Sequence, residues 1–223
     1  MIFHILNRGV DKRKIFMNDK DRLRFVHNLY EFNDENNVTN NLLAFFKQNG
    51  YNNIGCRYYK PRKLLVEIYA FCLMDNHYHL MLSSKTKDNI AKFMKKLNMG
   101  YAKYFNQKYQ RSGALFQGKY KSISINNHSH FIHLPYYIHL NPLDYHSPEW
   151  REKKLKDLSQ AIKFLKNYRW SSHLDYLGKK NFASIINKEF LLEIFGNEIE
   201  YQKRIKQFLK DIFSIRIKDI VLE

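Results

Sequence analysis

Two imidazoles flank a bulky residue in His77-Tyr78-His79. On a strand, residues i and i+2 point to the same face, so both rings would converge on one side, about 7 Å apart at the backbone. Imidazole is the commonest protein metal ligand, and two on one face form half of a metal site. A second group follows in Tyr137-Ile138-His139-Leu140-Asn141-Pro142. On a helix Tyr137 and Asn141 are i and i+4 and share a face, with His133 one turn earlier. A phenol beside an amide is unusual on an apolar packing face. In a chain with 16 tyrosines, however, Tyr137 taken alone is more simply read as a core residue with its hydroxyl bonded.

Other chemistries lack their residues. The chain has no GxxxxGK[ST] loop, no GxGxxG, no CxxC and no GxSxG, which excludes the usual nucleotide-cofactor and serine-hydrolase signatures. Neither Cys56 nor Cys72 sits in a nucleophile signature, and paired acids that could hold two metals are missing from the motif-bearing segments.

The formal charge is +17. It points to a polyanion, nucleic acid before anionic membrane, with compositional drift as the bland alternative. Its distribution favours a surface: between Lys85 and Lys121 stand ten basic residues and one acid, Asp88. The longest apolar stretch, Leu64 to Met74, is interrupted by Glu67 and falls far short of the roughly 20 residues of a membrane span. The opening MIFHILNRGVDKRK lacks the pattern of a secretory signal, and two cysteines fit a reducing, cytoplasmic setting.

The elements that must position these groups follow from periodicity. Residues 1–8 read as a strand, and 19–32 as a helix capped by Asn18 or Asp19. The Asn-rich stretch 33–53 reads as loop, with a turn of helix at LLAFF. Residues 64–73 and 77–83 read as paired strands turning at Met74-Asp75-Asn76. A helix over 87–109 carries Lys92, Lys95, Lys96 and Lys103 opposite its apolar face. After the loop RSGALFQGK, residues 119–125 read as a strand, and a helix capped by Asn126 or Asn127 stops at Pro142, with Pro135 as a point of kinking or restart. That order predicts an α+β fold, a ferredoxin-like antiparallel sheet with helices on one face. Residues 1–146 form the expected catalytic domain and 147–223 a helical C-terminal extension, amphipathic around 153–166, 171–178 and 188–213.

Taken together, FCLMDNHYHLMLS, the helix to YFNQKY, RSGALFQGKYKS, YIHLNP and RWSSHLDYLG resemble the single-tyrosine transposases of the HUH class, and among them the REP-associated tyrosine transposase branch. The match runs from NRGVDKRKIF to about Gly178. The resemblance implies that His77 and His79 bind one divalent metal, Mg²⁺ or Mn²⁺, that Asn141 is a further ligand, and that Tyr137 is the nucleophile, with the adjacent Tyr136 as the alternative. It implies cleavage of single-stranded DNA, often hairpin-forming, through a 5′-phosphotyrosine, by a monomer or homodimer without nucleotide cofactor or membrane. Covalent linkage conserves the bond energy, consistent with the missing P-loop.

Three departures from the family pattern stand out. Asp75 replaces the usual Pro before Asn76, as a candidate extra or outer ligand. Lys119 replaces a common Arg and loses bidentate phosphate recognition. Pro135 precedes Tyr137 by two residues. Candidate DNA contacts are Lys92, Lys95, Lys96 and Lys103 on the helix, with Arg111, Phe116, Gln117, Lys119 and Tyr120 in the loop. His128, His130, His139 and His146 read as polar or capping residues, and Trp170 with Ser171-Ser172 as packing plus an N-cap. The competing readings are a non-catalytic single-stranded nucleic-acid binder and a structural zinc site, the latter disfavoured by the lack of thiolate partners.

Overall fold

The computed structural model describes residues 1–36, 62–152 and 155–211; the expected LLAFF turn lies outside them. Strands β1 (Ile2–Arg8), β2 (Glu67–Leu73), β3 (His77–Ser83) and β4 (Lys121–Ile125) form one sheet in the order β2-β3-β1-β4. Every pairing is antiparallel. Helices α1 (Asp19–Glu31) and α2 (Lys87–Lys108) fall between strands to give the βαββαβ order. This is the expected α+β architecture.

Alternation along β1 and β3 sorts side chains onto two faces. The register pairs Asn7 with Tyr78, Ile5 with Leu80 and Phe3 with Leu82 on one face. Against that face α1 and α2 pack an aromatic cluster. Phe25 lies 4.8 Å from the Tyr78 ring and 5.0 Å from Tyr101, and Tyr78 lies 6.1 Å from Phe116. The Tyr78 hydroxyl donates to Asn98 Oδ1 at 2.6 Å, so this fully buried phenol leaves no unmet polar group.

The other face carries His4, Leu6, Arg8, His77, His79 and Met81. The expectation of helices on one face holds for α1 and α2. Helix α3 (His128–Leu140) covers this second face and packs on β2 and β3, because both strands bury side chains on both sides. Asn18 and Asn127 cap α1 and α3 through their side-chain oxygens, and α3 runs through Pro135 as one helix.

The C-terminal third adds α4 (Leu158–Leu165), α5 (His173–Tyr176), α6 (Lys188–Phe195) and α7 (Glu198–Asp211). It closes the open edge of β2, which would otherwise present unpaired backbone groups. Leu73 N donates to Trp170 O at 2.9 Å and Ser172 N to Phe71 O at 3.0 Å. Ser172 stands at the N-cap position of α5, but its side chain makes no capping bond: its hydroxyl accepts from Phe71 N and bonds His139 Nε2 at 2.7 Å, while Ser171 Oγ takes the His173 N–H. His139 is a polar residue inside the core. It is fully buried, and the Tyr201 hydroxyl joins its Nδ1 (2.7 Å) to His173 Nδ1 (2.9 Å).

Burial lowers the His173 pKa to about 3. The folded state thus binds this proton more weakly than the unfolded chain, whose histidine titrates near 6.5. The resulting stability is complete above about pH 6.5 and is lost as pH falls towards the folded value. Between pH 7 and pH 5 the unfolding free energy should drop by about 2 kcal/mol from this residue. Urea titrations of wild type and His173→Asn at both pH values check this: the variant should show the shallower dependence.

Candidate active site

The turn before β3 is held from below by the segment after β1. Ile15 N and Phe16 N both donate to Asp75 O, at 2.8 and 3.0 Å, and Gly9 N donates to Asn76 O at 2.8 Å. Gly9 is required by close approach, since a Cβ there would stand 2.3 Å from the Arg13 carbonyl oxygen. The Asp75 carboxylate is engaged by Arg22 and by Lys14, the latter at 3.1 Å. Through these two pairs it braces the turn.

His77 and His79 emerge on the α3 face, as the strand reading required, with ring centroids 5.0 Å apart and planes at 85°. Both are buried, at 7% and 1% exposure. Asn76 Nδ2 donates to Lys12 O, which turns its Oδ1 towards His77 Nδ1 at 2.6 Å. An amide oxygen only accepts, so His77 Nδ1 carries the proton. Nε2 of His77 and Nε2 of His79 have no hydrogen-bond partner among the described residues.

Tyr137 completes the cluster from α3. Its ring lies 5.7 Å from His79, nearly perpendicular to it. Tyr136 points elsewhere, stacked on Tyr201 and Phe208 among the C-terminal helices, and burial pushes its hydroxyl up to about 12. Asn141 stands one turn beyond Tyr137 and is fully buried. Its Nδ2 donates to the Tyr137 carbonyl at 2.8 Å, and its Oδ1 accepts from Arg151 at 3.0 Å.

Three residues at this site carry no motif of their own. His4 lies diagonally across from His79 on β1, with Nε2 2.9 Å from His79 Nδ1 and its ring 6.0 Å from Tyr137. His4 stands in the buried run of β1, and only the β1–β3 pairing reveals its neighbour. Arg8 is on the same face, opposite His77. Arg151 comes from the 3-10 turn Pro148–Glu152, beyond the expected domain boundary. Its guanidinium spans Asp144 at 2.7 Å, Asn141, and the Tyr137 hydroxyl at 3.5 Å. No sequence pattern pointed to it.

The electrostatics are one-sided. Burial, reinforced by Arg8 and Arg151 against the weaker pull of Asp144 and Asp75, lowers His77 to about 4. His79 is held well below the usual range by burial, then by His77, His4 and the same two arginines. Burial alone takes His4 to about 4. At neutral pH all three imidazoles are neutral, the form that binds metal. Arg151 stays charged, because its bonds to Asp144 and Tyr137 outweigh burial.

The expected DNA-contact residues divide. Phe116 is a correction: at 7% exposure it packs on Tyr78 and Tyr101 and is core, not a stacking platform. Lys92, Lys95, Lys96 and Lys103 lie across the sheet from the histidines, since α2 packs on the Tyr78 face. Lys92 and Lys96 there bond the carbonyls of residues 34–36. Arg111 staples its own loop through Asn106 and Ala114. Gln117 and Lys119 are exposed and Tyr120 half-buried.

The match to known proteins falls on this part of the chain: residues 57–141 fit the model of the family described as "Transposase IS200 like". That segment runs from before β2 to Asn141, so the histidine pair and Tyr137 lie within the matched segment, while His4 and Arg151 lie outside it. A solved "Structure of the REP associates tyrosine transposase bound to a REP hairpin" is similar at 12% identity and a TM-score of 0.42, over 81% of this chain and 80% of that one. No curated protein matches. Among the described residues, no helix is long and apolar enough to cross a membrane, and no group of three or more His, Cys, Asp or Glu is arranged to hold a metal ion.

Replacing Asn141 by Ala would remove the bond from its Nδ2 to the Tyr137 carbonyl and the bond from Arg151 to its Oδ1 in a buried site. Asn141→Ala should destabilise the fold by about 1–3 kcal/mol, measured by urea denaturation at pH 7.

Proposed function

We propose that this transposase is a metal-dependent endonuclease and strand transferase acting on hairpin-forming single-stranded DNA, with Tyr137 as nucleophile. One observation carries the reading: Tyr137 faces two neutral, buried imidazoles whose Nε2 atoms have no hydrogen-bond partner among the described residues. A buried polar atom left without a partner is costly. Two such atoms on one strand face fit a divalent ion.

His77 and His79 would hold that ion through Nε2, with Asn141 Oδ1 joining when Arg151 turns to the incoming phosphate. Bound Mg²⁺ or Mn²⁺ supplies Lewis-acid polarisation of the scissile phosphate, and two nitrogen ligands favour Mn²⁺ in affinity. Tyr137 Oη attacks phosphorus and gives up its proton. The P–O bond to Tyr137 forms, the P–O3′ bond breaks, and the departing O3′ takes a proton to become a free 3′-hydroxyl. Arg151 beside the Tyr137 hydroxyl stabilises the phenolate and then the charge on the phosphate. Tyr137 is 2% exposed and packed beneath Arg151 and Trp150, so the DNA phosphate displaces this cover as it enters.

Gln117, Lys119 and Tyr120 are the proposed contacts beside β4. Lys95 and Lys103, with Arg111, would contact duplex or strand only on the far face or the rim of the sheet.

Labelled hairpin oligonucleotides incubated with protein and Mn²⁺ test the reading. Wild type should form a denaturation-resistant protein–DNA adduct, Tyr137→Phe none, and His77→Ala should still bind DNA but lose the adduct by at least 100-fold. Binding without any adduct would instead establish a non-catalytic binder.

A further inference from the structure

We infer that His4 is a positioning residue for His79: its Nε2 accepts the His79 Nδ1–H and so keeps His79 Nε2 bare and aimed for a metal ion. This rests on the reading of His77 and His79 as ligands given above.

The two histidines are built alike. Each has Nδ1 tied by one short hydrogen bond and Nε2 without a partner. For His77 the tautomer is decided by chemistry, because the Asn76 oxygen can only accept. For His79 two arrangements fit the 2.9 Å contact. If His4 donated, His79 would carry its proton on Nε2, a buried N–H with no acceptor and no lone pair left for an ion. If His79 donates, its Nε2 carries a free lone pair, matching His77. Ligating histidines characteristically donate their other ring N–H to a fixed acceptor, which sets the tautomer and the ring orientation.

His4 also has no simpler role. It is 1% exposed in the middle of a strand, where an apolar residue would pack without a polar burden. Its ring stacks on His79 at 5.2 Å with planes 24° apart and meets the Tyr137 ring edge-on. A single residue from β1 therefore sets the orientation of His79 and lines the space in which Tyr137 sits.

Long-range ¹H–¹⁵N spectra of the metal-free wild type at pH 7 read the tautomer directly. The inference predicts protonated Nδ1 and bare Nε2 on His79; an Nε2–H tautomer overturns it. Titration with Mn²⁺ alone, followed by the loss of free-ion EPR signal, should show 10–100-fold weaker binding in His4→Phe, with most of it restored in His4→Gln, whose amide oxygen can accept the same proton. If wild type binds Mn²⁺ and His4→Phe binds it equally, the positioning role is wrong and the metal reading survives. If wild type binds no Mn²⁺ yet holds the Nδ1–H tautomer, the metal reading fails while His4 still sets the His79 tautomer. The spectral arm needs only wild type and holds even if His4→Phe does not fold.

Discussion

Strand β3 is buried on both faces, and everything at the site depends on how its alternation is divided. Tyr78 goes down into the aromatic cluster with Phe25, Tyr101 and Phe116 and bonds Asn98. His77 and His79 must then go up. A slip of one residue would push a phenol under α3 and two imidazoles into an apolar core, where neither could find its partners. The bulky residue between the histidines is thus the anchor that holds them in register, and the depth of its burial makes the arrangement costly to shift.

The second face is polar by comparison, and its groups are satisfied in an ordered way. Asn76 serves His77, His4 serves His79, Asn141 serves the Tyr137 backbone, and Asp144 holds Arg151. The two Nε2 atoms are left over. Native interiors seldom leave such atoms unless something else binds them, and here they lie beside a tyrosine and a guanidinium. The C-terminal third takes part as well: Arg151 enters the site from it, residues 170–172 pair with the edge of β2, and Tyr201 bonds His139 one residue beyond Ile138 on α3.

Much of this was legible in the chain. Short apolar runs bounded by turn residues marked β1 and β3, and the caps of α1 and α3 were narrowed to Asn18 or Asp19 and Asn126 or Asn127 because a side-chain oxygen two or three residues ahead of free helix amides is a local signal. Elements fixed by long-range pairing were not legible. His4 gains its meaning only from β1 lying beside β3, and Arg151 only from a turn folding back over α3. The lysines of α2 formed a clear helical stripe, yet a stripe says which side of a helix is solvated and not which side of the sheet that helix covers. Phe116 looked like a loop aromatic because Gly113 and Gly118 surround it, whereas it pairs with Gly9 and fills the core behind Tyr78.

The central claim is that Tyr137 makes the covalent bond beside the paired histidines. Protein reacted with a hairpin single strand and Mn²⁺, digested with protease and nuclease, and sequenced by mass spectrometry should carry a phosphonucleotide on the oxygen of Tyr137. An adduct mapped to Tyr136 or to any other residue, or a fully metal-supplied reaction that leaves Tyr137 unmodified, would contradict it.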